Sequence, residues 1–316
     1  MKTLLKAVLF LVLAICVLLA VGATVIFVRG IPKYDPVKYE AKVEVTPERV
    51  ERGMKLASML CNHCHLNEKT NKLTGRSMTE VEGFGEINSL NITQHPEAGI
   101  GKWTDGELIA FIRTGIRPDG QYVPPYMVKL PKLSDEDMNS IIAFLRSDNP
   151  YVQPDPTELS PTKPNFFAKF LSNIAFKPFE MPSGPVPEPD TTNIVAWGEY
   201  LTLYQLECYS CHSKDFSTNN FAEPEKSEGY FGGGIKLIDM DGKPILTRNL
   251  TPDKETGIGN WTEEQFVKTL KYGIREGKPA VRYPMLPYSQ LTDSEAKAIF
   301  AFLRTVPPLK NEIEQL

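Results

Sequence analysis

Two five-residue strings constrain this 316-residue chain more than any other feature. Residues 61–65 read Cys-Asn-His-Cys-His, and residues 208–212 read Cys-Tyr-Ser-Cys-His. Both follow Cys-x-x-Cys-His, the pattern at which a c-type haem is attached. The spacing lets two thiols add to the vinyl groups of one porphyrin edge, and the adjacent histidine reaches the iron. The chain is therefore predicted to bind two haem c groups covalently. The predicted attachment residues are Cys61, Cys64, Cys208 and Cys211, and the predicted iron ligands are His65 and His212.

Two other chemistries use a Cys-x-x-Cys pair, a zinc site and a redox-active dithiol. A zinc site would need the two pairs to converge across the 147 positions that separate Cys61 from Cys208. Neither alternative explains a histidine directly after each pair. The fifth cysteine, Cys16, lies in an apolar segment and is interpreted as an apolar filler, which leaves no thiol for a structural disulfide.

The N-terminus contains an apolar run long enough to cross a membrane. Residues 7–28 carry no charge, with lysines before the run and Arg29 and Lys33 after it. At about 1.5 Å per residue, a helix of this length spans a hydrocarbon core of about 30 Å. A cleaved signal peptide is the alternative, because Val21-Gly22-Ala23 would serve as a cleavage site. We expect an uncleaved single-pass anchor in a bacterial inner membrane, with the rest of the chain on the periplasmic side.

The chain also contains an internal repeat. Residues 91–147 align without a gap with residues 249–305, and 20 of the 57 positions are identical. The phrase Gly-Ile-Gly-x-Trp-Thr, for example, occupies 99–104 and 257–262. The repeats are offset by 158 and the haem motifs by 147, so the second copy has a net 11 additional residues between them. We expect the Gly-rich stretch 231–234 to hold most of this insertion. The pattern indicates a duplicated domain.

Each copy shows helical signals and predicts an all-α fold. Thr104–Glu107 and Thr262–Gln265 are capping boxes, and Gly115 and Gly273 are expected helix ends. Further helix starts are predicted at Thr46-Pro47, Ser134 and Thr292. Apolar residues recur at helical spacing near the end of each copy, and we expect them in the core beside the haem. They are Ile141, Phe144 and Leu145 in the first copy, and Ile299, Phe302 and Leu303 in the second.

These signals divide the chain into five segments. We expect an anchor at 1–30, a linker at 31–45, a first domain at 46–150, a Pro-rich linker at 151–192 and a second domain at 193–316. The stretch 150–190 contains ten prolines, a composition typical of an extended, stiff connection. Within it, residues 166–176 have an apolar face with few charges, which either lies on the membrane surface or packs between the domains.

The second axial ligand of each iron follows partly by elimination. The chain has four histidines, and His212 is the only one in the second copy. His63 lies between two cysteines, where it is expected to point away from the iron. His95 aligns with Asp253 in the repeat, so we expect it to be a surface loop residue. Of the methionines after His212, Met285 has a counterpart at its repeat position, Met127, whereas Met240 has none. We therefore predict Met127 and Met285 as axial ligands.

Four further residues have two interpretations each. Trp103 and Trp261 either donate indole N–H groups to haem propionates or are core residues. Arg117 and Arg275 either neutralise propionates or are solvated after a helix end.

Taken together, the motifs resemble those of the cytochrome c subunits of membrane-bound alcohol, aldehyde and gluconate dehydrogenases. The resemblance rests on the phrases at 52–53 and 197–201, on 249–253 and 256–261, and on Pro284-Met285-Leu286-Pro287-Tyr288. It implies two tandem class I cytochrome c domains behind the N-terminal helix. It also implies axial pairs His65–Met127 and His212–Met285, and a dehydrogenase partner. The chain departs from that group in having two haem motifs rather than three, and an N-terminal rather than C-terminal anchor.

Two functions remain open at the level of sequence. The first is an anchored electron-transfer protein between a periplasmic dehydrogenase or respiratory complex and a downstream acceptor, with no independent catalysis. Its redox partners would be a dehydrogenase subunit, an oxidase or a small electron carrier. The second is a di-haem enzyme, such as a thiosulfate dehydrogenase or peroxidase-like protein, which needs an open iron position. A net charge of -4 and a pI near 5.7 argue against nucleic acid as a partner.

Overall fold

The computed structural model describes residues 2–239 and 241–314, apart from the side chain of Glu82. Met240, one of the methionines weighed above, lies outside the described residues. The predicted helical class is confirmed, with two short antiparallel strand pairs beside the helices. The helices are α1 (Lys2–Arg29), α2 (Pro47–Leu60), α3 (Asn62–His65), α4 (Asp105–Thr114), α5 (Asp135–Leu145), α6 (Phe166–Ile174), α7 (Ile194–Glu199), α8 (Cys208–Cys211), α9 (Glu263–Tyr272) and α10 (Asp293–Leu303). The strands are β1 (Gly85–Glu86), β2 (Lys163–Pro164), β3 (Lys236–Ile238) and β4 (Pro244–Leu246). Short 3₁₀ helices cover Thr79–Phe84, Phe216–Thr218 and Pro224–Lys226, and a π-helix covers Tyr200–Gln205.

Helices α4, α9 and α10 begin, and α4 and α9 end, at the positions predicted from their capping residues. Thr104 and Thr262 form complete capping boxes at the starts of α4 and α9, and Thr292 does so for α10. Gly115 and Gly273 end α4 and α9 in the left-handed conformation, with φ of 81° and 71°. Local side-chain oxygens accept N–H groups in the first turn of these helices, so their start positions depend on residues close in sequence.

The chain forms two compact units. The first comprises Met1–Val50, Cys64–Pro131 and Ile142–Ser183, and the second comprises Glu51–His63, Lys132–Ile141 and Gly184–Leu316. The domain boundaries given above stay predictions.

In the first unit, one ion pair fixes the Gly-Ile-Gly-x-Trp-Thr loop against the helices. Arg146 donates through Nε to Asp105 Oδ1 at 3.0 Å and through Nη1 to the Ile100 carbonyl at 3.3 Å. The other oxygen of Asp105 accepts the N–H of Val43 at 2.9 Å. Around these contacts α4 and the end of α5 bury their apolar residues, and the predicted core positions Phe144 and Leu145 are 1% and 4% exposed.

In the second unit, α7 packs closely on α10 because Gly198 has no side chain. A Cβ atom at Gly198 would lie 1.8 Å from the carbonyl oxygen of Ala298. Phe266 of α9 stacks on Phe300 of α10 with ring centroids 4.9 Å apart. The predicted core stripe of α10 is buried, with Ile299 and Leu303 each 1% exposed.

The second unit also buries an unpredicted polar network. Arg52 donates through Nε to Asp137 Oδ1 at 2.6 Å, and Asp137 accepts a second hydrogen bond from the Tyr200 hydroxyl. The Tyr200 oxygen in turn accepts the N–H of Ser134 at 3.0 Å. A carboxylate as buried as that of Asp137 is stable only with such partners.

The position predicted for the insertion is wrong. Backbone hydrogen bonds show that Leu73 and Phe231 are equivalent positions. The N–H of Ile92 donates to the Leu73 carbonyl, and the N–H of Leu250 donates to the Phe231 carbonyl. The two copies are therefore already in the 158-residue register at position 231. The additional residues lie before it, in the segment 213–230, which contains both 3₁₀ helices that follow α8. The Gly-rich stretch 231–234 belongs to the repeat itself.

Helix α1 belongs to the first unit and contributes no residue to its core. None of its 28 residues is buried, and its mean hydropathy reaches 3.0 over an 18-residue window. It is long and apolar enough to cross a membrane, and a signal sequence passes the same test.

Candidate haem-binding sites

The two predicted proximal histidines have the same surroundings. His65 ends α3, and His212 directly follows α8. Both side chains are 9% exposed. His65 Nδ1 lies 2.7 Å from the carbonyl oxygen of Leu90, and His212 Nδ1 lies 2.8 Å from that of Arg248. Leu90 and Arg248 are equivalent in the 158-residue register, so the arrangement is duplicated.

This contact determines which ring nitrogen is available to a metal. A carbonyl oxygen only accepts, so Nδ1 carries the proton and Nε2 keeps its lone pair. Burial also lowers the pKa of His65 and His212 below the ordinary histidine value, which favours the neutral ring. A neutral imidazole oriented through Nδ1 is the usual state of a histidine that binds metal through Nε2.

A glycine holds each proximal histidine from its other side. Gly75 N–H donates to the His65 carbonyl at 2.8 Å, and Gly233 N–H donates to the His212 carbonyl at 2.9 Å. Both glycines have positive φ, 86° and 71°. A Cβ at Gly75 would lie 2.2 Å from the backbone oxygen of Ser89, so only glycine admits the segment that supplies the Leu90 carbonyl. These two glycines were not among the predicted site residues, although extending the repeat register upstream pairs them.

The four motif cysteines form no disulfide bond with one another. Burial raises the pKa of Cys64 and Cys211, and it raises the pKa of Cys208 to about 12. A redox-active dithiol needs a lowered thiol pKa, so the surroundings of these three cysteines disfavour that alternative. Within residues 2–239 and 241–314, no group of three or more His, Cys, Asp or Glu side chains is placed to hold a metal ion.

Met127 and Met285 occupy equivalent positions at the ends of two matching turns, 125–127 and 283–285. Both side chains are partly buried. The turn before Met127 is fixed by Lys129, which is 5% exposed and donates through Nζ to the carbonyls of Pro124 and Met127, each at 2.6 Å. Pro287 occupies the equivalent position of the second copy and cannot donate, so these two hydrogen bonds belong to the first copy. The sequence signal for these hydrogen bonds is a lysine between two apolar residues, Val128 and Leu130.

The two other histidines have different surroundings. His95 Nδ1 accepts the N–H of Ala98 at 3.0 Å, as Asp253 Oδ1 accepts the N–H of Thr256 at 2.7 Å. His95 therefore has the loop role predicted from its alignment with Asp253. The His63 ring lies against Tyr283, with centroids 5.7 Å apart.

Each copy contains arginines that an added negative charge could meet, although Arg117 also pairs with Asp119 at 3.6 Å and Arg282 with Asp239 at 3.6 Å. Arg117 lies 6.0 Å from the Trp103 ring centroid, and Trp103 packs edge-on against Phe111 at 5.5 Å. The Nε of Arg117 is buried and has no hydrogen-bond acceptor among the described residues. In the second copy, burial lowers the pKa of Arg248, and the nearby charges of Arg275 and Arg282 lower it further. Both places suit an added carboxylate.

Family models match both copies. Residues 48–145 match the model described as "Cytochrome C oxidase, cbb3-type, subunit III", and residues 201–307 match the model described as "Cytochrome c". Together they cover both Cys-x-x-Cys-His motifs and both methionine turns.

Curated relatives agree with these matches. The chain is 31% identical over 238 residues to the cytochrome c subunit of a quinone-dependent alcohol dehydrogenase of Gluconacetobacter polyoxogenes, covering 72% of this chain and 49% of the relative. It is 27% identical over 273 residues to the fructose dehydrogenase cytochrome subunit of Gluconobacter japonicus, covering 82% and 52%. It is 26% identical over 238 residues to a "Diheme cytochrome c-type" protein of Cereibacter sphaeroides, covering 72% and 74%. The chain thus spans about half the length of the first two relatives.

Proposed function

Because the chain belongs to the cytochrome c family through both of its repeats, we propose that it is a di-haem electron-transfer protein. One haem c is held by Cys61 and Cys64, and the second by Cys208 and Cys211. The observation that carries the proposal is the duplicated histidine geometry. Two buried imidazoles, each directly after a Cys-x-x-Cys pair, are fixed through Nδ1 by a backbone carbonyl, which leaves Nε2 as the nitrogen that can bind iron. Each haem would supply an iron that gains and loses one electron.

Met127 and Met285 complete the two axial pairs in this proposal. Their support is the matched turn in both copies, together with the carbonyl bonds of Lys129 in the first. A methionine sulfur opposite imidazole raises the reduction potential and leaves no open iron position. This ligation favours electron transfer over a reaction at the iron.

The arginines fit the carboxylates that a haem carries. The buried, acceptor-free Nε of Arg117 would donate to a propionate, and the Trp103 ring beside it would shield that contact from water. In the second copy, burial and the nearby charges of Arg275 and Arg282 lower the pKa of Arg248, and propionate charge would relieve this repulsion.

The proposed location and partners are supported by α1 and by the names of the relatives. Helix α1 would anchor the chain in the bacterial inner membrane, with both haem-binding domains in the periplasm. Several relatives are named as cytochrome subunits of dehydrogenases, which supports a dehydrogenase as the electron donor. An oxidase or a small electron carrier would then be the acceptor.

Axial ligation tests this function directly. In the oxidised protein, we expect the weak sulfur-to-iron band at the red end of the visible spectrum. Met127→Ala and Met285→Ala should each remove about half of that band and let one reduced haem bind carbon monoxide. Met54→Ala is the matched control, since Met54 is 40% exposed on α2, and it should change neither property.

A wild-type protein without the band, or one whose reduced haem binds carbon monoxide at once, would contradict electron transfer through two closed irons. That result would favour the di-haem enzyme.

A further inference from the structure

Helix α6 exposes its large apolar residues and buries its small ones. Phe166, Phe167 and Ile174 are 44%, 53% and 56% exposed, whereas Ala168 and Ser172 are fully buried. A helix on a water-facing surface normally does the reverse. At 100° per residue, the exposed residues fall within one sector of about 100°, and the buried pair lies on the opposite side. The exposed sector therefore suits an apolar surrounding.

A third side of α6 contacts the end of α1. Asn173 donates through Nδ2 to the carbonyl of Gly30 at 2.9 Å. The Lys169 ammonium lies 4.5 Å from the ring centroid of Phe27. Lys169 and Asn173 are one turn apart, so both contacts come from one side of α6. All four residues belong to the first unit.

The length of α1 sets the level at which α6 meets it. With 28 residues at about 1.5 Å each, α1 is about 42 Å long, which exceeds a hydrocarbon core of about 30 Å. The last turn of α1 contains Phe27 and the charged Arg29, and it therefore lies in the headgroup layer when the helix spans a bilayer. Helix α6 is fixed at this level.

We infer that α6 lies in the headgroup layer of the membrane as a second lipid contact, with Phe166, Phe167 and Ile174 in the acyl boundary. This rests on the anchoring of α1 proposed above. The occupant is lipid rather than protein because α6 contacts the end of α1, a helix that buries none of its residues and is apolar enough to cross a membrane. Lys177, exposed just after α6, would meet headgroup phosphates, as is typical of interfacial helices.

Lipid photocrosslinking tests the inference on the complete haem-loaded chain. The protein is inserted in vesicles of phosphatidylcholine and phosphatidylglycerol that contain a diazirine-bearing phosphatidylcholine, irradiated, digested and mapped by mass spectrometry. We expect adducts in α1 and in peptides that cover 166–174. The internal control is Phe216, which is 49% exposed and should acquire none. The variant Phe166→Ser/Phe167→Ser/Ile174→Ser should lose the α6 adducts and keep those of α1.

The outcomes separate the two proposals. Adducts in α1 alone, or α6 labelling no stronger than around Phe216, would overturn the interfacial position of α6 and leave the anchor intact. Adducts in neither helix would overturn the anchor and the inference together. A triple variant that keeps full α6 labelling would show that the exposed apolar face is not the lipid contact.

Discussion

Asn91 and Asn249 use every hydrogen-bonding position of their side-chain amides, and removing either should destabilise one haem site. Asn91 Oδ1 accepts from the N–H and hydroxyl of Thr93 at 2.8 and 2.7 Å. Its Nδ2 donates to the carbonyls of Asp155 and Thr157 at 2.8 and 2.9 Å. Asn91 directly follows Leu90, whose carbonyl orients His65.

The second copy repeats this arrangement. Asn249 Oδ1 accepts from the N–H and hydroxyl of Thr251 at 2.9 and 2.7 Å. Its Nδ2 donates to Thr256 Oγ1 at 3.0 Å and to the Leu309 carbonyl at 2.7 Å. Asn249 follows Arg248, which orients His212.

Asn91→Ala and Asn249→Ala each delete four hydrogen bonds at a buried position. At about 0.5–1.5 kcal/mol per bond, each substitution should lower the free energy of unfolding by about 2–6 kcal/mol. Guanidinium unfolding followed by circular dichroism at the Soret band measures this loss. Asn260→Ala is the control, because its one bond to the Lys254 carbonyl is exposed, and its effect should stay within about 0.5 kcal/mol. If Asn91→Ala and Asn260→Ala shift the midpoint equally, the reasoning that these loops are held by the asparagines is wrong.

Two further substitutions test packing and charge. Gly198→Ala would place a Cβ 1.8 Å from the Ala298 carbonyl oxygen, so α7 and α10 must separate. Thermal unfolding should show that the free energy of unfolding falls by about 1–3 kcal/mol. An unchanged melting temperature would contradict the close packing of the two helices. Arg117→Gln should lower the reduction potential of one haem in a spectroscopic redox titration, because a positive charge beside a propionate disfavours the oxidised iron. Lys102→Gln, which removes an exposed lysine paired with Glu97, should leave both potentials unchanged, and equal shifts in the two variants would contradict a role for Arg117 at the haem.

Local signals were sufficient to predict most of the helical framework. Capping at Thr104, Thr262 and Thr292 depends on side chains within three residues of the helix start, so the sequence contains the complete interaction. The core stripe of α10 follows from helical periodicity in the same way. The haem motifs are equally local, because the attachment chemistry fixes both residue type and spacing.

Interactions between distant segments could not be predicted in the same way. The carbonyls of Leu90 and Arg248 that orient the histidines are backbone atoms, and any residue could supply them. The network of Arg52, Asp137 and Tyr200 joins residues far apart in the chain, with no periodic signal that links them. The contact of α6 with Gly30 likewise spans 143 positions. In each case the partner is determined by packing rather than by residue pattern.

The most direct test of two covalent haem groups is mass spectrometry of the purified, denatured chain and of its proteolytic peptides. The intact mass should exceed that of the polypeptide by two haem groups. The peptides that contain 61–65 and 208–212 should each carry one haem on both cysteines. Unmodified thiols at either motif would contradict a di-haem protein.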